Sequence, residues 1–519
     1  MEEHSIRVQP IGMPIWPGLR PALCPPFIIT PKCRKKTNHL PHFFQKMKAE
    51  NMNPAVIDTF QHYYAKVCNG ADGMIWDDEI TRINPVDLIH TDQLAEFSTR
   101  GKKALDKAVM IVLNGGLGTS MGLDNVKSMI PVKSSRSFME ITIKQASQQG
   151  VRLCFMNSFT THNATLNFIA AKNFSHPVVH FIQNKFPKIL RDSLAPASWS
   201  QDPNLEWNPP GHGDIYTAMH ASGTLGRLLD AGIKYAFISN SDNLSGTLDE
   251  SLLGYFVESR LPFMMEVSKR NSSDIKGGHI ARRKDGRLVL REISQCPQRN
   301  LINFQDIHHH CFFNTNNIWI DLEELNKRIK NDGLIRLPMI LNPKSLDPKD
   351  ETSPPVYQVE TAMGSAISLF EDARAVAVER DRFFPVKTCN DLLVLQSDRV
   401  LLTYDSKLIP NPENLDETIH VQLDPEFYRK IDMFQKRFPF GPPSLTRCSS
   451  LTVEGDVRFE HNVVLKGRVA ICNMRKNQEI IKAGSIITGD LQFEPLSEHV
   501  LHSSKRVKSN ENIMRATAN

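Results

Sequence analysis

The chain has 519 residues, 40% of them hydrophobic and 23% charged. At roughly 100–200 residues per domain this implies two to four folded domains and excludes a chain disordered throughout. Lysine and arginine number 62 against 57 aspartates and glutamates, a surplus too dilute for a nucleic-acid binder or a membrane-surface protein. No apolar run reaches the length of a membrane span, and Met1-Glu2-Glu3-His4 lacks the basic opening of a secretory signal. The nine cysteines form no C-x-x-C pair, which speaks against a disulfide framework and a thiolate zinc site. A soluble cytoplasmic protein is expected.

Residues 1–40 carry Pro10, Pro14, Pro17, Pro21, Pro25, Pro26 and Pro31. Proline lacks an amide donor and restricts its predecessor, so an irregular segment is expected. Its run Arg34-Lys35-Lys36 reads as solvated charge. Over 41–100 a helical region is predicted, because Phe43, Phe44, Met47, Ile57, Phe60 and Tyr64 fall at helical spacing and Pro54 divides them into two helices. From 101 to 400, apolar runs at 108–113, 151–156, 178–182, 235–239 and 263–267 alternate with helical stretches, the clearest at 138–148 and 216–231. That alternation predicts an α/β domain on a mostly parallel sheet covered on both faces, with ligands bound beyond the carboxyl ends of the strands.

A connecting region, 401–447, leads to a different pattern over 448–492. Leu451, Val457, Val463 and Val469 recur every six residues, with Val453, Phe459, Leu465 and Ile471 in phase two positions later. Neither helix nor simple strand has that period; a hexapeptide β-helix does, here of four short coils. Its open end would invite pairing with another copy, and truncation after about Arg447 would remove it without unfolding the rest. The tail, 493–519, is polar and basic, with Lys505, Arg506 and Lys508.

Four segments carry chemistry. Leu113-Asn114-Gly115-Gly116-Leu117-Gly118-Thr119-Ser120-Met121-Gly122 follows the first predicted strand directly. Such a turn brings backbone N–H groups close to a polyphosphate. It lacks the Gly-Lys-Ser/Thr of a Walker loop and the spacing of a dinucleotide fingerprint, but Lys127 stands where it can fold back onto phosphates. Pro209-Pro210-Gly211-His212-Gly213-Asp214 is a stiffened loop able to approach a flat or anionic group. Ser239-Asn240-Ser241-Asp242-Asn243 puts a carboxylate at a strand's carboxyl end, suited to hold Mg²⁺ against phosphate oxygens. Phe384-Pro385-Val386-Lys387-Thr388 adds a second lysine. The run His308-His309-His310 points its rings in different directions and makes a poor metal site.

Together these segments resemble UTP–glucose-1-phosphate uridylyltransferases, the UDP-glucose pyrophosphorylase family. The resemblance extends through Lys276-Gly277-Gly278, Phe313-Asn314-Thr315-Asn316-Asn317 and Glu360-Thr361-Ala362, in order, over about residues 105–490. It implies a Rossmann-like nucleotidyltransferase domain followed by a short left-handed β-helix, with UTP and glucose 1-phosphate as substrates, Mg²⁺ as cofactor and a homo-oligomer formed through the β-helix. By resemblance, Leu113, Asn114, Gly115 and Gly116 hold uridine and phosphate, the two glycines also nearing the sugar phosphate. Lys127 and Lys387 neutralise the phosphates, and Gln183 and Gly211 read uracil. His212, Asn240 and Ser241 contact the sugar phosphate, Asp242 the metal, and Asn316 and Asn317 the glucose hydroxyls. The chain departs from the family at Asn125-Val126, usually Gly-Pro, at Ser241, usually aliphatic, and at Cys389, usually Thr. Two alternatives stand beside this reading: a UDP-N-acetylhexosamine pyrophosphorylase-like enzyme, disfavoured by Gly-Thr-Ser-Met-Gly, and an inactive paralogue serving as an assembly module, disfavoured by Lys127, Asp242 and Lys387.

Overall fold

A computed structural model describes residues 39–123, 125–416 and 418–495. The proline-rich segment up to residue 38 and the basic tail from residue 496 lie outside the described residues. The eight strands that build the site platform are β1 (Ile89–His90), β2 (Ala108–Asn114), β3 (Arg152–Asn157), β4 (Val178–Ile182), β5 (Tyr235–Asn240), β6 (Phe263–Lys269), β7 (Phe312–Asp321) and β8 (Arg374–Ala377). They follow the order β1-β8-β6-β7-β5-β2-β3-β4 within an eleven-stranded sheet. All neighbours pair in parallel except those of β7, which runs against both β6 and β5. The sheet is thus mixed and mostly parallel, as expected.

Burial explains why β2 reads as one apolar run. Val109 and Ile111 enter one apolar cluster, whereas Ala108, Met110 and Val112 enter another. Cys154 and Met156 separate from Leu153 and Phe155 in the same way along β3. Successive side chains point to opposite faces, so a strand covered on both must be apolar throughout. Helix Phe138–Gln149 covers one face, opened by a capping box in which Ser137 and Glu140 bond reciprocally and closed by Gly150 at φ +67°. The predicted helix at 216–231 is instead two, Ile215–Ala221 and Thr224–Asp230. Gly223 breaks it by taking the left-handed conformation, φ +71°.

Chain order places β2 between β3 and β5, so the connections leave β2 in opposite directions and open a crevice at its carboxyl end. Because β7 is reversed, its first residues, not its last, lie at that edge: Phe312 pairs with Lys269, the last residue of β6. A long antiparallel hairpin, Met339–Asp347 with Asp350–Thr361, returns the chain to the same side. Helices Leu40–Ala49 and Pro54–Cys68, separated as predicted at Pro54, pack Phe43, Phe60 and Tyr64 against Phe186, Trp207 and Val359. No helix among the described residues is long and apolar enough to cross a membrane.

The hexad region forms three small parallel sheets. Cys448–Glu454, Val457–Phe459 and Val464–Leu465 are followed by Gly467–Asn473, Glu479–Ile481 and Ile486–Ile487, each pairing in parallel with its counterpart, and Leu491–Phe493 starts the next layer. Leu451 pairs with Val469 and Val453 with Ile471, three hexads on. The predicted six-residue units thus do not pair with their immediate successors; parallel pairing joins units three hexads apart. Nor is this stack separable. Met121, Phe138, Val386 and Leu392 share a single apolar cluster with Leu451, Val453, Val469 and Ile471, so truncation after Arg447 would open the core behind the glycine loop.

Candidate active site

The glycine loop closes on itself. Lys127 N–H donates to the Gly116 carbonyl and Gly118 N–H to that of Asn125, both at 3.2 Å, and Leu117 bridges Val126. The departure at Asn125-Val126 is answered here: Val126 is buried, and its φ of −62° is the angle a proline would impose. A Cβ at Gly115 would lie 3.3 Å from Gln183 Oε1 and equally close to Ser158 Cβ, while at Gly116, which is exposed, it would meet nothing within 4 Å. The Asn114 side chain turns inward, donating to Asn157 Oδ1 at 2.8 Å and Thr165 Oγ1 at 3.0 Å and accepting from Ser128 Oγ at 2.5 Å. It anchors the residue after Lys127 and leaves the crevice to backbone groups. Half-buried Leu113 accepts at its carbonyl from Ser241 N–H, tying β2 to the loop after β5.

Asp242 is the electrostatic centre. Only 8% exposed, it receives Lys127 Nζ on Oδ2 at 2.7 Å and has Lys387 Nζ at 3.7 Å. Its other oxygen, Oδ1, is buried without a partner among the described residues, which fits a cation ligand. Lys387 itself is 61% exposed on its side chain. Its backbone is fixed by three bonds: its N–H donates to Asp391 Oδ2 in the capping box of helix Cys389–Gln396, its carbonyl accepts from Ser120 Oγ, and the preceding Val386 N–H donates to the Asp242 carbonyl. Asn243, read only as part of the motif, clips both segments together, donating to the Arg382 carbonyl and accepting from Phe384 N–H. Asn240 and Ser241 are half-buried beside them.

On the other flank, Gln183 Nε2 donates to the Gly211 carbonyl at 2.7 Å. Gly211 sits at φ +76°, and a Cβ there would come 2.4 Å from the Thr361 carbonyl oxygen, so the end of the hairpin admits only glycine. Met363 N–H donates to His212 Nδ1 at 3.0 Å. Nδ1 is then the acceptor and Nε2 carries the proton. Burial, with the Lys387 charge behind it, pushes the imidazole down to about 4. His212 is therefore a neutral donor, and nitrogen NMR of labelled histidine is expected to show the Nε2–H tautomer without titration between pH 5.5 and 8; an ordinary midpoint near 6.5 would remove this role.

The two asparagines of β7 expected at the sugar differ in exposure. The β6–β7 register slips between Met265 and Val267, and Asn316, in the resulting bulge, takes φ +60°. It remains half-buried, bonded to Asn314. Asn317 is fully buried and donates to Glu266 Oε2. Its Oδ1 is buried without a partner among the described residues. Glu266 is saturated by Asn317, Trp319 and two bonds from Arg382, the ion pair that carries the Lys387 segment. Glu292 packs against the paired glycines: a Cβ on Gly278 would lie 2.5 Å from its Oε2, and burial raises its carboxyl to about 7. In the histidine run, His310 is buried and stacks on His279 at 3.6 Å; among the described residues no group of three or more His, Cys, Asp or Glu is placed to hold a metal.

A family profile described as UTP–glucose-1-phosphate uridylyltransferase matches residues 57–466. The chain is 36% identical over 479 residues to the enzyme of that name from Encephalitozoon cuniculi, spanning 90% of this chain and 94% of the relative. The chain belongs to this family. Within it, the Solanum tuberosum enzyme is 36% identical over 76% of this chain and 83% of its own. A Leishmania major UDP-glucose pyrophosphorylase variant, solved in complex with UDP-glucose, superposes with a TM-score of 0.81 at 37% identity, covering 88% of this chain and 100% of that one. A Trypanosoma brucei structure matches with a TM-score of 0.79 at 41% identity, covering 88% of this chain and 100% of that one. As a member of this family the chain is a nucleotidyltransferase.

Proposed function

We infer that the chain transfers a uridylyl group from UTP to glucose 1-phosphate, giving UDP-glucose and pyrophosphate. The observation that carries this reading is the pairing of Asp242 with Lys127 and Lys387 beside the glycine loop, in a family whose Leishmania major member was solved with UDP-glucose. A phosphate oxygen of glucose 1-phosphate bonds to the α-phosphorus of UTP while the bond from that phosphorus to the bridging oxygen breaks, and pyrophosphate leaves with the electron pair. Two anions must meet, so positioning and charge neutralisation dominate and no covalent nucleophile is needed.

Gly115 and Gly116 let the backbone approach uridine and phosphates at the end of β2, beside Leu113 and Asn114. Gln183 and Gly211 flank the uracil. Lys127 and Lys387 neutralise charge on the phosphates. His212 donates through Nε2 to the sugar phosphate, near Asn240 and Ser241, and Asn316 and Asn317 face the hexose hydroxyls. Asp242 would hold Mg²⁺ through the unpartnered Oδ1, the remaining ligands being phosphate oxygens and water, as usual for this cation. The cation, when bound, supplies Lewis-acid polarisation of the phosphoryl oxygens. Pyrophosphate release with UTP, crossed against glucose, galactose and N-acetylglucosamine 1-phosphates, tests the substrate: the glucose ester is expected to lead, and strong turnover with the N-acetyl sugar alone would overturn it.

The parallel sheets of 448–492 are read as the left-handed β-helix expected from the hexads. Among the described residues its last strand, Leu491–Phe493, pairs only with Gly467–Asn473, an edge suited to a second copy. Light scattering is expected to find an oligomer; a monomer at micromolar concentration would remove this contact. Composition and the short apolar runs support a cytoplasmic protein.

A further inference from the structure

Gln183 follows β4 and Gly211 lies in the loop before helix Ile215–Ala221, so nothing local holds one against the other. Three hydrogen bonds do. Besides Gln183 Nε2 to the Gly211 carbonyl, Asn184 N–H donates to Asp214 Oδ2 at 2.7 Å and Asn184 Nδ2 donates to Oδ1 at 3.0 Å. Asp214 ends the 3-10 turn His212–Asp214 and leads with helical φ −61° and ψ −14° straight into helix Ile215–Ala221. Its side chain bonds no N–H of that helix; both oxygens serve Asn184. The carboxyl is 4% exposed, has no ion-pair partner among the described residues, and burial pushes it up to about 7. A charge-bearing group buried this way costs stability, so a role beyond packing is indicated.

The geometry around the base gives that role a content. The Gly211 carbonyl can only accept, so it fixes the Gln183 amide with Nε2 towards itself and Oε1 towards the gap beside Gly115. Gly211 N–H donates to no group among the described residues. An acceptor beside a free donor matches the N3–H and C4 carbonyl of uracil. Cytosine presents the opposite pair, a ring nitrogen that accepts and an amino group that donates. A Gln183 amide released from Gly211 could rotate and serve either base.

We propose that Asp214 is a positioning residue for nucleobase selection: by clamping Asn184 it keeps the neighbouring Gln183 in register with Gly211, so that an oxygen faces the base. The proposal rests on the reading that Gln183 and Gly211 flank uracil. Asp214 touches neither substrate, and its effect appears in the choice of nucleotide.

The test compares kcat and KM for UTP and CTP, with glucose 1-phosphate, in the full chain and in Asp214→Ala, Asp214→Asn and Gln183→Ala, alongside thermal melts. Asp214→Ala is expected to raise KM for UTP with kcat little changed and to lower the UTP-over-CTP ratio of kcat/KM by about tenfold or more, since a misplaced hydrogen-bonding group forfeits discrimination. Asp214→Asn keeps an oxygen for Asn184 N–H and is expected to restore most of the ratio. If Gln183→Ala lowers the ratio and Asp214→Ala leaves it unchanged, or slows both nucleotides equally, the proposal is overturned. An unchanged ratio in Gln183→Ala instead overturns the underlying reading of the base site. Should Asp214→Ala fail to fold, Asn184→Ala, which leaves the carboxylate in place, is expected to lower the ratio, and an unchanged ratio there overturns the proposal equally.

Discussion

Replacing Lys127 with alanine is expected to lower turnover by about two to three orders of magnitude, the usual loss, about 3–4 kcal/mol, for one preorganised charge-stabilising group. The substitution removes charge without moving the loop, because Lys127 is placed by its backbone bond to Gly116 and by the neighbouring Ser128 on Asn114. Its Nζ, 2.7 Å from Asp242, is 13% exposed on its side chain, whereas Lys387 is 3.7 Å away and 61% exposed. Solvent screens Lys387 more strongly, so Lys387→Ala is expected to cost less. Asp242 loses its nearer cation in Lys127→Ala, so the melting temperature should also fall. A double-mutant cycle with Asp242→Asn is expected to be strongly non-additive, because the two side chains form one pair. Near-full activity in purified Lys127→Ala, or strict additivity in the cycle, removes Lys127 from the site.

Asp242→Asn is expected to abolish stimulation by divalent cations, with turnover at saturating Mg²⁺ down by at least about a hundredfold. The amide keeps the shape and the bond from Val386 N–H to the backbone, but not the charge a hard cation needs. UTP binding without metal should behave in the opposite sense, unchanged or tighter, because one negative charge no longer faces the triphosphate. Isothermal titration with UTP, with and without Mg²⁺, separates these effects. Activity that still rises with Mg²⁺ as in the parent chain would take Asp242 out of cation binding.

The apolar runs that predict β2 to β6 lie within one or two residues of the observed strands, because strands covered on both faces must be continuous in apolar residues. β7 escaped that reading. Its first half, Phe312-Phe313-Asn314-Thr315-Asn316-Asn317, is polar where it meets the crevice, and a bulge breaks its alternation. Helix 216–231 was misread because its periodicity continues across Gly223 while the backbone does not.

The glycine loop, Lys127 and Asp242 stood out by residue type and by their place at or shortly after predicted strands, since backbone access and fixed charge are local properties; Lys387 gained meaning only beside them. The partnerships were not legible. That Gln183 meets Gly211, that Glu266 and Arg382 brace the lysine segment, and that the hexad stack shares its core with the glycine loop depend on strand order and on the reversal of β7. The sequence by itself determined the α/β class and the groups that carry charge, because strand burial and backbone permissiveness are written residue by residue. Only the tertiary structure decided which of those groups face one another, because contacts between residues far apart in the chain follow from the order and direction in which the strands pair.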